Sequence, residues 1–312
     1  MTTGLEIFGF RLLLFLIRNV RRNMFQPGIL SWISPKTAKF IYTVACRPLI
    51  LKRIVGFCIK KLVPPELFIR GVHLSLNQND PIVSGNLFLG CYETNDIEFF
   101  VSILEADMNF VDIGANIGLY SSIASKIVRS DKKVIAIEPE KYNCSLIRKT
   151  KERNCLHNLI IEEKAAGNIR GRSELFINPM NPADHRLHDQ SGARIATPVV
   201  IDLADNIINE NGLVSVDLIK IDVQGFEAKV WAGLGATLQA NPNIKILMEL
   251  WPWGLNSAGT CPSEFLKTIR SQGFTIYEIT DTSNRPVLRN FDDYLLSFRK
   301  EREHLNLFLF RD

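Results

Sequence analysis

The chain has 312 residues, 46% of them hydrophobic, with 37 Lys or Arg against 33 Asp or Glu and a formal net charge of +4. That is enough apolar material for a sizeable core in one or two domains. The six cysteines, Cys46, Cys58, Cys91, Cys144, Cys155 and Cys261, are widely spaced with no Cys-x-x-Cys pair, which excludes a disulfide scaffold and a zinc ribbon. Free thiols in a large chain fit a reducing cytosol, so a cytoplasmic location is expected.

Charge is unevenly placed. Residues 1–65 hold 11 Lys or Arg and one acid, Glu6, for a local +10 that leaves about −6 on the remainder. Phe8, Phe10, Leu12 to Leu14, Phe15, Leu16 and Ile17 form an apolar run broken by Arg11 and followed by Arg18, Arg21 and Arg22. It is shorter than the roughly 20 residues a span needs. Phe40 to Val63 mixes Ile, Leu and Phe with Arg47, Lys52, Arg53, Lys60 and Lys61. Two readings stand: a basic amphipathic segment lying peripherally on an anionic membrane, or a helical cap on the following domain. No secretory signal is expected, because Arg11 interrupts the apolar run and Phe25-Gln-Pro27 offers no small-residue cleavage site. The chain is divided into a basic, largely helical extension, 1–79, and a domain at 80–312.

From residue 80 onward strand-like and helix-like segments alternate, as a doubly wound α/β sheet requires. Strands are expected at 109–113, 133–138, 159–163, 217–222, 244–249, 274–279 and 305–310. Helices are expected at 94–104, 118–128, 141–153, 227–239 and 262–272, and the last two strands should pair antiparallel. Between the third and fourth strands, Ile169 to Val200 contains Asn178-Pro-Met-Asn-Pro182. Its prolines predict an irregular surface loop or lid.

Asn109-Phe-Val-Asp-Ile-Gly-Ala-Asn-Ile-Gly118 followed by Val134-Ile-Ala-Ile-Glu138 reads as strand, glycine turn, helix and second strand. Gly114 permits a sharp turn close to a ligand, and Gly118 removes a side chain where the helix packs. Glu138, at the second strand tip, is placed to accept the paired hydroxyls of a ribose. The spacing departs from the Gly-x-Gly-x-x-Gly fingerprint that seats a pyrophosphate, and Asp112 is poorly placed beside a phosphate. A nucleoside cofactor without phosphates, S-adenosylmethionine, fits better. Asn116 either contacts the cofactor's tail or caps the next helix.

These segments, with Gly90-Cys-Tyr-Glu93 upstream and Asp217-Leu-Ile-Lys-Ile-Asp-Val-Gln-Gly-Phe-Glu227 and Met248-Glu-Leu250 downstream, resemble the FkbM-type methyltransferases, a subgroup of the class I S-adenosylmethionine-dependent methyltransferases. The resemblance covers roughly residues 80 to 280. It implies a Rossmann-like seven-stranded sheet with an antiparallel last strand, S-adenosylmethionine as cofactor, approach of Glu93 to that cofactor, and a hydroxyl acceptor on a sugar, glycan precursor or secondary metabolite. The family's usual Glu is Gln224 in this chain, so a charge-dependent role there is lost while hydrogen bonding is kept.

Ligands in open α/β sheets bind at the C-terminal strand edge, which should gather Asp112, Glu138, Ala165, Ala166, Asp222 and Glu249. Ala165 and Ala166 either floor the adenine or line the core. Asp222 is the first candidate for a general base toward the acceptor, with His185 and His188 as alternatives; an N-cap or an ion pair with Lys220 is the competing reading of Asp222. Glu227 either reaches the site or caps its helix. Trp251 and Trp253 either stack on the acceptor or pack a corner. Asp184, His185, His188 and Asp189 lack a well-spaced further ligand, so no metal site is expected. N-methylation, RNA methylation with the basic segment as a phosphate-binding arm, and a non-catalytic membrane module are the competing functions. Few aromatics interleave the basic residues, which places nucleic acid below a small-molecule or glycan acceptor.

Overall fold

The computed structural model describes residues 61–178, 185–188, 194–280, 287–290 (backbone) and 304–311. The basic segment read as membrane-binding or capping therefore lies almost wholly outside the described residues, as do Asp184 and Asp189. Among the described residues no helix is long and apolar enough to cross a membrane. The chain divides into two compact units, one including 76–94 and the other 66–75 with 95–312. In the first, the Asp80 carboxylate accepts hydrogen bonds from the backbone N–H groups of Ile82, Val83 and Ser84 at 2.8–3.1 Å. It thereby satisfies amides that a helix start leaves unpaired.

In chain order the elements are β1 (Glu66–Ile69), β2 (Val72–Ser75), α1 (Val83–Phe88), α2 (Thr94–Ile103), β3 (Phe110–Ile113), α3 (Leu119–Ile127), β4 (Val134–Ile137), α4 (Lys141–Asn154) and β5 (Leu159–Glu162). There follow β6 (Ala165–Gly167), β7 (Gly171–Ile177), β8 (Ile195–Leu203), α5 (Ala204–Glu210), β9 (Leu218–Ile221), α6 (Glu227–Ala232), α7 (Gly235–Ala240) and β10 (Lys245–Leu250). The chain continues through α8 (Pro252–Ser257), α9 (Pro262–Ser271), β11 (Thr275–Thr280), β12 (Val287–Asn290) and β13 (Leu305–Phe310).

The large sheet has the order β12-β11-β13-β10-β9-β3-β4-β5. Strands β5, β4, β3, β9 and β10 are parallel, and β13 enters antiparallel between β10 and β11. All seven expected strands are present in a Rossmann-like arrangement, and β12 adds an eighth at the edge. Parallel strands covered on both faces read as near-continuous apolar runs; all eight residues of β3 and β4 are buried, and among them Asp112 alone is polar. The order reverses between β3 and β9, which places a crevice at their C-terminal ends.

The irregular insert expected at 169–200 is corrected. Gly171–Ile177 and Ile195–Leu203 are strands β7 and β8, paired antiparallel from Gly171↔Ile201 to Ile177↔Ile195, with β6 parallel on the other side of β8. Pro198 is tolerated inside β8 because β6 pairs only with Ile201 to Leu203. On that side residue 198 needs no donor. The single helix expected at 227–239 is also corrected, into α6 and α7. A Cβ on Gly233, between them, would overlap the Gly167 carbonyl oxygen and sit 3.2 Å from the Ala204 nitrogen, so the helix breaks where β6 and α5 press against it.

That close approach makes Gly233→Ala a steric test, since no positive φ is involved. Overpacking against backbone is expected to cost about 3 kcal/mol, read as a lowered urea midpoint. An unshifted midpoint would show that the contact with Gly167 is slack.

Candidate functional site

The glycine turn is closed by β4: the N–H groups of Gly114 and Ala115 both donate to the Ile137 carbonyl, at 2.9 and 3.1 Å. Gly114 has φ of 84°, and a Cβ there would overlap the Asp222 carbonyl oxygen and lie 2.9 Å from its carbon. The close approach expected between this glycine and a ligand is thus made with the β9 tip. A Cβ on Gly118 would lie 2.8 Å from Ile147 of α4, so its missing side chain accommodates the neighbouring helix instead of its own strand. Asn116, at φ 53°, takes the left-handed conformation that Asn tolerates. Its side-chain oxygen accepts from the Ile117 N–H at 2.8 Å, while Gly118 occupies the N-cap of α3.

Glu138 follows β4 and is buried. Its Oε2 accepts from the Asn116 N–H at 2.8 Å, and its Oε1 from the Glu140 N–H at 2.9 Å and the Asn143 amide at 3.4 Å. Burial pushes this carboxyl up to about 7, against those hydrogen bonds. A carboxylate oxygen carries two lone pairs, so Oε2 retains acceptor capacity for a ribose hydroxyl while anchored to the glycine turn.

Asp112, in β3, is buried with Oδ2 accepting from the Ser121 N–H at 3.0 Å and its hydroxyl at 2.5 Å. Its Oδ1 has no hydrogen-bond partner. Burial raises its pKa, opposed chiefly by the Lys220 ammonium. An unpartnered oxygen on a buried acid behind the glycine turn is a free acceptor for a polar cofactor group.

The competing readings of Asp222 both bear on one arrangement. Strand alternation puts residues 220 and 222 on one face, and Lys220 Nζ lies 3.0 Å from Asp222 Oδ2 and 4.6 Å from the Tyr120 ring centre. The Gln224 amide donates to Asp222 Oδ1 at 3.0 Å and to Glu249 Oε2 at 2.7 Å. Burial works against charge on Asp222, but Lys220 and these hydrogen bonds hold its carboxyl below the usual range. Sequence reasoning kept hydrogen bonding at Gln224 but named no partner; its contacts depend on the register of β9 beside β10, for which one chain carries no local signal.

Glu227 opens α6 and folds back on the turn: Oε1 accepts from the Gly225 N–H at 2.9 Å and the Val223 N–H at 3.3 Å. Its Oε2 is buried with no hydrogen-bond partner, and burial pushes the carboxyl up to about 7. A Cβ on Gly225 would lie 2.6–2.8 Å from the Gly254 backbone, which sets this turn against α8, whose N-cap is Trp251 and which contains Trp253.

Of the remaining expected residues, Ala165 and Ala166 form part of β6 and are buried, Ala166 in the main core. His185 Nδ1 accepts from the Asn178 N–H at 3.2 Å. His188 lies two residues past Arg186, whose guanidinium stacks 4.3 Å from the Trp251 ring centre and 5.5 Å from that of Trp253. This stack was not foreseen. Glu93 belongs to the other compact unit, immediately before α2, with φ of 40°. Among the described residues no group of three His, Cys, Asp or Glu side chains could hold a metal.

Residues 112–283, more than half of the chain, match the methyltransferase FkbM domain. No curated protein matches. Among solved structures, the chain is similar to an O-methyltransferase from Bacillus cereus in complex with S-adenosylhomocysteine, at 11% identity over 91% of this chain and 100% of that one, TM-score 0.43. It is similar to an rRNA methylase from Streptococcus thermophilus, at 10% identity over 69% and 93% of the two chains, TM-score 0.40. A precorrin-6y C5,15-methyltransferase from Geobacter metallireducens matches at 11% identity over 69% and 87%, TM-score 0.39.

The buried Glu227 has a consequence for stability. Its carboxyl ionises near 7 in the folded chain against 4.5 ordinarily, so between those values the folded state holds a proton that the unfolded state has released. Its stabilising share is complete below the lower value and declines as pH rises to the upper one. Glu227→Gln removes this dependence. The variant's stability relative to wild type is expected to rise by about 2 kcal/mol between roughly pH 4.5 and pH 8, measured by urea unfolding. An equal difference at both ends would show that Glu227 ionises normally.

Proposed function

Given that this chain belongs to the FkbM methyltransferase family, we propose that it methylates a hydroxyl on a sugar, glycan precursor or secondary metabolite. Its methyl donor is S-adenosylmethionine, which supplies an electrophilic methyl on a sulfonium. Glu138 binds and orients the ribose, with Asp112 offering its free oxygen behind the turn. Asp222 faces the acceptor and takes its proton.

The observation that carries this reading is Asp222 itself. Its carboxylate is kept ionised by Lys220 at 3.0 Å and by the Gln224 amide, and its backbone abuts the Gly114 turn. A depressed pKa makes it a weak base toward a resting alcohol. As the oxygen attacks carbon its proton becomes far more acidic, and a positioned carboxylate then suffices. A neutral amine attacks through its lone pair without this help, which favours oxygen over nitrogen. The indole of Trp253, 39% exposed and 5.2 Å from that of the buried Trp251, supplies an aromatic surface suited to the apolar face of a sugar.

Labelled methyl donor incubated with the protein and extract of its own cells tests the acceptor. The expected product is a small labelled compound whose methyl survives nuclease treatment and is an ether by mass spectrometry. Label confined to nuclease-sensitive RNA, or to nitrogen, would overturn the reading.

Two variants separate the roles. Glu138→Ala is expected to weaken S-adenosylmethionine binding about tenfold or more by calorimetry, and unchanged affinity removes the ribose assignment. Asp222→Asn is expected to lower kcat about 100-fold with little change in that affinity; wild-type turnover removes the base assignment.

A further inference from the structure

We propose that Gln224 is a positioning residue that ties the Asp222 and Glu249 carboxylates into one pair through a single uncharged amide, fixing the group that meets the acceptor. The proposal rests on the reading of Asp222 as the acceptor-side base.

Three observations converge on this residue. Its nitrogen donates to Asp222 Oδ1 at 3.0 Å and to Glu249 Oε2 at 2.7 Å. A carboxamide nitrogen carries two hydrogens, so one is spent on the tip of β9 and the other on β10. Both partners are acceptors, which makes nitrogen the inward atom of the amide. Gln224 also has φ of 52°, a left-handed conformation that costs a non-glycine residue about 1–2 kcal/mol. The strain is held by packing: Gly225 follows at φ 97° with no room for a Cβ against the Gly254 backbone, and Glu227 grips the turn through the Val223 and Gly225 N–H groups.

An amide is suited to this place by its chemistry. Two carboxylates repel unless something donates to both. An ammonium would do so by adding charge, and a carboxylic acid has a single hydrogen and only while protonated. The glutamine amide does so with no charge and no dependence on pH. Around the pair stand Lys220, 3.0 Å from Asp222 Oδ2, and His304, whose Nε2 is 3.9 Å from Glu249 Oε1. The buried carboxyls of Asp112 and Glu227 also act electrostatically with Asp222. A glutamate at 224 would put another negative charge among four acids, relieved by holding a proton. With glutamine, Asp222 has one oxygen bound to Lys220 and the other to Gln224, beside a side-chain hydrogen bond with Glu249 that the amide reinforces, and presents its remaining lone pairs in a fixed direction.

The full chain is compared as wild type, Gln224→Glu and Gln224→Met. The readouts are S-adenosylmethionine affinity, carbon-13 titration of the Asp222 carboxyl, and turnover against pH with the acceptor found by labelling. In Gln224→Glu the carboxyl titration is expected to move up by about one pH unit or more, as a proton is held to relieve the added negative charge. Its turnover relative to wild type should fall about tenfold between roughly pH 6 and pH 8, while donor affinity holds. Gln224→Met, with no donor, should lose about tenfold at every pH. A Gln224→Glu titration matching wild type overturns the bridge. A shifted titration with the wild-type turnover profile overturns the positioning role. The titration needs no acceptor, so failure to find an O-methylated product would sink the functional reading while the bridge is still decided on its own.

Discussion

The backbone of Gly114 lies against the backbone of Asp222 so closely that residue 114 has no room for a Cβ. The Asp222 N–H donates to the Ile113 carbonyl at 3.0 Å, fastening the two strand tips together. The turn after β3 and the turn after β9 are therefore one rigid body at the point where strand order reverses. Positioning two reactants is the larger part of a displacement at carbon. Here the turns after β3 and β9 are registered by main-chain contact instead of by flexible side chains. A second such contact, Gly225 on Gly254, extends the registration to Trp251 and Trp253 at the start of α8.

On this frame stand acids of the same chemistry in different states. Burial drives the carboxyls of Asp112, Glu138 and Glu227 upward, whereas Asp222, beside Lys220, is held down. Environments that push like groups apart assign them different work. Glu138 and Glu227 hold backbone amides of the two turns, and Asp222 remains the charged group. The cation that makes the difference sits two residues earlier on the same strand and is itself backed by the Tyr120 ring.

Much of this was legible in the sequence because it is local. The runs Phe110–Ile113 and Val134–Ile137 could only be covered parallel strands, since every residue in them is apolar or, in Asp112, paired within the following helix. Gly114 announced its sharp turn, Gly118 the need for a missing side chain at the helix start, and Glu138 its place at a strand tip. The misreadings had a common origin in non-local contact. The prolines of 178–182 argued against strands across the whole 169–200 insert, yet β7 and β8 flank them and pair with each other, and the single helix expected at 227–239 gives way to two where Gly167 presses on Gly233.

By itself the sequence determined the sheet, the crevice at its reversal and the acids placed there, because strand period, glycine turns and strand-tip positions are properties of neighbouring residues. Tertiary structure alone decided which of those acids is charged, what Gln224 joins and where Arg186 lies. Those outcomes depend on burial and on distances between segments far apart in the chain, such as the 25 residues separating Gln224 from Glu249. Burial and distance of that kind exist only once the strands are laid side by side.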